Sequence, residues 1–155
     1  VCLRPGVKEV LKQLKAQQCL LFLVTNQSGI NRGFFTMKEV QACHQRMLDL
    51  LEEDENFFTQ FCIATGRPED NDPYRKPSPK FILECLAKYH LNPDKCWMIG
   101  DRQTDVQAGI NAHIHTIFLS QTERLHEATA CCKNFYEVLD TLERYGVLSK
   151  LDKKD

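Results

Sequence analysis

Helices and short apolar strands alternate along this chain, and the alternation predicts an α/β fold, a doubly wound parallel sheet in one domain spanning residues 1–155. Three observations carry the prediction. Cys19 to Val24 and Cys96 to Ile99 are apolar runs too short for ordinary helices, as expected of strands buried on both faces. Amphipathic stripes at helical spacing separate such runs. Polar stretches around Thr25, Lys76 and Asp101 fall at or just after strand ends, where open α/β sheets bind ligands.

The elements follow in order. Val7, Val10, Leu11 and Leu14 recur at helical spacing after Pro5, which suits a first turn. The strand Cys19–Val24 stops at the polar loop Thr25 to Gly33. Thr36 and Glu39 form a capping box for a helix through Val40, Cys43, Met47, Leu50 and Leu51, which the acidic Glu52 to Glu55 ends. His44 sits on the rim of this helix. Phe57 to Ala64 reads as a second strand, and Thr65 to Pro77 as a loop. Ser78 caps a helix whose buried face is Phe81, Ile82, Cys85, Leu86 and Tyr89. The strand ending at Ile99 delivers Asp101, and small residues around Ala108 and Gly109 let the next helix approach the sheet. His113 to Leu119 reads as the last strand, one face solvated because its histidines alternate with apolar residues. Ser120 to Lys133 reads as loop with some helix, Cys131 and Cys132 being loop or helix thiols. Asn134 and Glu137 cap a final helix that Gly146 ends, and Lys150 to Asp155 reads as a frayed tail.

Composition narrows the partners. Net charge is −1, so nothing argues for nucleic acid or a membrane surface. No apolar run reaches the length of a membrane span. Eight cysteines without a CxxC pair, most of them in apolar runs, suit a reducing, cytoplasmic setting rather than a disulfide framework.

Each polar stretch has a plain reading and a chemical one. Thr25-Asn26-Gln27 with Gly29 and Arg32 is a Gly/Asn turn, or a cradle of hydroxyl, amides and backbone N–H groups for an anionic oxygen. Arg75-Lys76 before Pro77 is a solvated basic pair, or a neutraliser of phosphate charge. Asp101 and Asp105 are a solvated turn residue and a helix cap, or oxygen ligands suited to Mg²⁺. Together and in this order, at successive strand ends, they suit phosphoryl transfer, which depends on positioning and charge stabilisation.

Pro5-Gly6-Val7, Val24 to Ile30 with Arg32-Gly33, Arg75-Lys76-Pro77, and Ile99-Gly100-Asp101-Arg102 with Thr104-Asp105 carry a resemblance. The chain resembles the haloacid dehalogenase superfamily of phosphatases. It is most similar to the branch holding histidinol-phosphate phosphatase and D-glycero-D-manno-heptose 1,7-bisphosphate phosphatase. The polynucleotide 3′-phosphatase domain shares the Thr-Asn-Gln and Arg-Lys-Pro pieces, but Gly-Asp-Arg followed by Thr-Asp leans toward small metabolites. The resemblance implies a HAD-like Rossmannoid fold and a phosphatase that hydrolyses a small phosphorylated metabolite through an aspartyl-phosphate. It implies that Thr25 holds the transferring phosphoryl group, Lys76 neutralises nucleophile and phosphate, and Asp101 ligates Mg²⁺ with support from Asp105. Asn26, Gln27, Arg32, Arg75 and Arg102 would face substrate or phosphate.

Two departures set further expectations. The family nucleophile lies in Asp-x-Asp-Gly-Thr on a strand preceding the Pro-Gly-Val helix, and no such motif occurs here. Asp70 and Asp72 lack the strand and the Gly-Thr. The chain therefore reads as lacking its N-terminal nucleophile strand, which in the family lies mid-sheet, between the strands ending at Thr25 and Asp101. Alone, it is expected to be unstable or to aggregate through unpaired edges. The other reading of the missing motif is a non-catalytic domain of the same fold that binds phosphorylated ligands or serves as a scaffold. Many relatives also carry a Cys/His cluster before Arg-Lys-Pro; here Cys62 stands alone, and no zinc is expected.

Overall fold

The computed structural model describes residues 1–149, so the tail reading for 150–155 lies outside the described residues. Helix α1 (Val7–Ala16) leads into strand β1 (Phe22–Asn26), then α2 (Met37–Leu51), β2 (Gln60–Ala64), α3 (Lys80–Lys88), β3 (Trp97–Gly100), α4 (Gln103–Asn111), β4 (His115–Leu119), β5 (Ala130–Cys132) and α5 (Phe135–Arg144). All strand pairs are parallel. β1 pairs β2 with Val24 opposite Cys62, β3 pairs β4 with Ile99 opposite Ile117, and β4 pairs β5.

The strands form two sheets, β1-β2 and β3-β4-β5. Both feed one core. Leu23, Phe61, Trp97, Ile99, Ile117, Leu119 and Cys132 face a cluster built with Val10, Leu14, Leu48, Leu51, Val138 and Leu142 of α1, α2 and α5. Intervening residues face the other way, as the two-residue pleat demands. Met98 meets Ile82 of α3 and Ala108 of α4, and the Phe22 ring lies 5.4 Å from that of Tyr89. Helices thus cover both faces, the doubly wound arrangement. A Cβ on Gly109 would overlap Thr116 and Met98, so α4 lies close on the sheet. Trp97 stacks on His115 (4.7 Å) and meets Tyr145 edge-on (5.1 Å); its buried Nε1 has no hydrogen-bond partner among the described residues.

Several sequence expectations change. β1 starts three residues later than its apolar run, and all five of its residues are half-buried, because one of its edges lacks a neighbouring strand. Phe57 and Phe58 are buried before β2 rather than within it. Cys43 of α2 is exposed; Val40, Leu48 and Leu51 make the buried stripe. β4 is buried from Thr116 to Leu119, since it is central among three strands, and His113 lies outside it in a left-handed turn. It is not the last strand: Ala130–Cys132 adds β5, where Cys132 is buried against Thr141. The helix beginning at Lys80 is preceded by Pro79 as its N-cap, and the Ser78 hydroxyl accepts from Lys80 N–H. All eight thiols are free.

Candidate active site

The site grows from three connections at the carboxyl ends of β1, β2 and β3. Thr25 and Asn26 end β1. The Gln27 side-chain amide donates to the Thr25 hydroxyl at 2.9 Å, leaving that hydroxyl its own proton to give. The Asn26 amide is spent on the backbone of Lys76, accepting from its N–H at 3.0 Å and donating to its carbonyl at 3.2 Å. Asn26 therefore holds the lysine loop against β1.

Lys76 is the hub. Its Nζ donates to the Val24 carbonyl at 2.9 Å and lies 2.6 Å from Asp105 Oδ1, with side chains 11% and 8% exposed. An ammonium has three protons, so one remains for an incoming anion. Thr59 N–H bonds Leu21 O and Gln27 N–H bonds Ala64 O, so the odd-numbered carbonyls of β1 face β2 and Val24 O faces the edge that β2 does not use. The lysine thus sits at the open edge of β1. The Lys76–Pro77 peptide is cis, and Asn111 of α4 donates to the Pro77 carbonyl.

Asp105 ties this hub to β3. Its Oδ2 accepts from the Arg102 backbone N–H at 3.1 Å, capping α4. A Cβ on Gly100 would overlap the Asp105 side chain, so only glycine lets the carboxylate lie against the strand end. Asp101, next in sequence, is exposed and pairs with Arg4 at 2.8 Å. Among the described residues no group of three or more His, Cys, Asp or Glu side chains converges.

The remaining positions surround this centre. Arg75 donates to the Gly66 carbonyl at 3.0 Å, which pins the loop before Lys76. Arg32 is exposed and lies 3.8 Å from Glu69. Arg102 is exposed and joins the site through its backbone N–H. Asp72 accepts from Gly66 and Tyr74 N–H groups, so it builds a loop. Asp70 is clasped by Arg67, whose hydrogen bonds pull its carboxyl down to about 2. Cys62 lies in β2, its sulfur 3.9 Å from that of Cys85, and burial pushes its thiol up to about 12. Sequence reasoning missed Arg4, the lysine-holding role of Asn26 and the ion pair of Lys76 with Asp105; the need for glycine at position 100 was visible only as a tight turn.

Lys76, held by Val24 O and Asp105 where β1 ends, with the Thr25 hydroxyl on that same strand end and Asp101 exposed after β3, makes up the candidate site. The chain belongs to the haloacid dehalogenase-like hydrolase family, whose model matches residues 1–113. It is similar to the D-glycero-beta-D-manno-heptose-1,7-bisphosphate 7-phosphatase of Helicobacter pylori, 32% identical over 141 residues, 89% of this chain and 82% of that protein. It is also similar to the histidine biosynthesis bifunctional protein HisB of Legionella pneumophila, 31% identical over 77% of this chain and 34% of that protein. Among solved structures, D,D-heptose 1,7-bisphosphate phosphatase from B. bronchiseptica, complexed with magnesium and phosphate, superposes with a TM-score of 0.79 at 23% identity, covering 90% of this chain and 83% of that one. No described helix is long and apolar enough to cross a membrane.

Proposed function

We propose that this phosphatase-family chain acts on a small phosphorylated metabolite of the sugar-phosphate or histidinol-phosphate type, with Mg²⁺. The observation that carries the reading is the Lys76 ammonium, held on two sides by Val24 O and Asp105 with its third proton uncommitted. The phosphoryl group would rest between that proton and the Thr25 hydroxyl, which Gln27 orients. Asn26 holds the backbone of Lys76, and Arg75 steadies the loop before it through Gly66 O. The heptose-bisphosphate phosphatases among the relatives support the substrate class.

The donor chemistry fits Mg²⁺, which takes one or two carboxylates and keeps several waters. Asp101 would hold the ion directly, and Asp105, already engaged by Lys76 and Arg102, would steady the strand end. Bound there, the ion would polarise phosphoryl oxygens and neutralise developing charge. The attacking carboxylate would arrive on a strand added between the open edge of β1 and β3, beside Lys76. Asp70 and Asp72 are each engaged in their own loop.

The test is Mg²⁺-dependent phosphate release from hexose, heptose and histidinol phosphates, by this chain and by the chain with the residues encoded upstream of Val1 added. Turnover is expected only when an Asp-bearing strand is present, and Lys76→Ala should lower it by about 100-fold. The other reading is a domain of the same fold that binds phosphorylated ligands without hydrolysing them, which the Lys76 ammonium and Thr25 hydroxyl would serve equally. Binding without turnover in the extended chain would establish that reading instead.

A further inference from the structure

Cys62 of β2 and Cys85 of α3 meet sulfur to sulfur at 3.9 Å, and both side chains are buried. Gln60 and Tyr89 are polar neighbours of the pair. The Gln60 side-chain carbonyl lies 4.0 Å from the Cys85 sulfur and accepts from the Tyr89 hydroxyl at 3.5 Å. Other sulfurs are engaged elsewhere: Cys96 on Asn92 O, Cys131 on Leu125 O and Cys132 on the Thr141 hydroxyl. Cys131 and Cys132 are adjacent in sequence, but successive residues of β5 point to opposite faces.

A disulfide holds its sulfurs about 2.05 Å apart, so roughly 2 Å of approach separates these two thiols from a bond. The chain between them leaves β2, passes through Gly66, Arg75 and Lys76, and enters α3. One bond would therefore close a ring around the loop that carries the lysine. In the dithiol that loop is held by hydrogen bonds alone, Asn26 to the backbone of Lys76 and Arg75 to Gly66 O. A cross-link removes the open arrangements of the segment it closes. The two thiols are unequal. Burial raises Cys85, and the Cys62 S–H donating to it pulls it part of the way back, while Cys62 stands at about 12. Cys85 is thus the thiol that ionises first and attacks.

We propose that Cys62 and Cys85 are a dithiol–disulfide couple, oxidised by a hydroperoxide and reset by a thiol reductant, whose oxidised form fastens the Lys76 loop to the sheet. The Cys85 thiolate attacks a peroxide oxygen; an S–O bond forms, the O–O bond breaks, and hydroxide leaves as water with the proton that Cys85 gave up. The Cys62 sulfur then attacks Cys85; the S–S bond forms, the S–O bond breaks, and a second water leaves with the Cys62 proton. Two electrons pass from the two thiols to the peroxide. The couple stands whether or not the neighbouring site hydrolyses phosphate.

The protein for the experiment is the chain extended by the residues encoded upstream of Val1, fully reduced and then exposed to hydrogen peroxide without denaturant. Its mass should fall by two hydrogens, peptide mapping should join the Cys62 and Cys85 peptides, and dithiothreitol should restore the parent mass. The bond should form slowly, over minutes to hours, because buried thiols offer little thiolate. Amide exchange through residues 65–77 and α3 should slow about 10-fold in the oxidised form, with β5 and α5 unchanged within about twofold. Cys62→Ala and Cys85→Ala should each abolish both effects. No loss of hydrogens, a bond mapped to another pair, sulfinic acid at either residue without a cross-link, a bond that forms only in urea, or exchange that ignores the bond would each overturn the couple; the mapping needs no variant, so a substitution that fails to fold leaves the test intact.

Discussion

Lys76 and Asp105 lie 2.6 Å apart with little water around either, and neither makes another ion pair among the described residues. A buried pair broken from one side leaves a charge uncompensated. Asp105→Ala should therefore destabilise the chain by about 3 kcal/mol in urea unfolding, and adding Lys76→Met should restore much of it. Asp70 makes a second prediction. Arg67 holds its carboxyl at about 2, below the ordinary value, so the pair's contribution is present above pH 4 or so and fades as pH falls through about 2. An NMR titration should put the Asp70 midpoint near 2, and Arg67→Ala should raise it only part of the way to the ordinary value, because the backbone N–H of residue 67 still donates to the carboxylate. Thr25 stands out in the sequence because it follows an apolar run, Asp105 because it opens a helix, and Lys76 because it is one of two adjacent cations before Pro77. Arg4 does not: it meets Asp101 across 97 positions, and a lone arginine before Pro-Gly announces no partner. Asn26 was visible as a polar strand-end residue, but its grip on Lys76, 50 positions away, depends on the fold.

Capping explains where the elements begin, and this part of the fold was readable. Thr36 accepts from Glu39 N–H at 3.3 Å, while the Glu39 carboxylate accepts from Thr36 N–H at 2.7 Å. Thr36→Ala should cost about 1 kcal/mol, visible as faster amide exchange in the first turn of α2. Asn134 does the same for α5 through Glu137 N–H at 3.0 Å. β5 escaped because three residues carry no periodicity, and Ala130-Cys131-Cys132 has no strong strand former. β4 was found but its surroundings were misjudged. Histidines at alternate positions suggested a wet face, yet His115 is the edge of a buried strand, its Nε2 3.0 Å from the Asp94 carbonyl and its ring against Trp97. Register alone puts Thr116 under Gly109 and Ile117 into the main core.

Across the whole molecule, one apolar core joins two sheets that share no ladder of hydrogen bonds. Unpaired parallel edges invite pairing with another chain. The 155-residue chain should associate in a concentration-dependent way in sedimentation and melt broadly; a sharp, concentration-independent melt of monomer would refute this. The alternation of helix and strand made the layered class readable. The division into two sheets was expected only through the family resemblance, since no local pattern in β1 or β3 says which neighbour it lacks. Trp97 turns that division into something that can be watched. It is the one tryptophan of the sequence, sits in β3, and leaves the β1-β2 sheet optically silent. Its emission, quenched or released by the His115 ring against it, is a private light for one half of the protein. Followed beside the far-ultraviolet circular dichroism of the whole, it will tell whether the two halves come apart together or in turn.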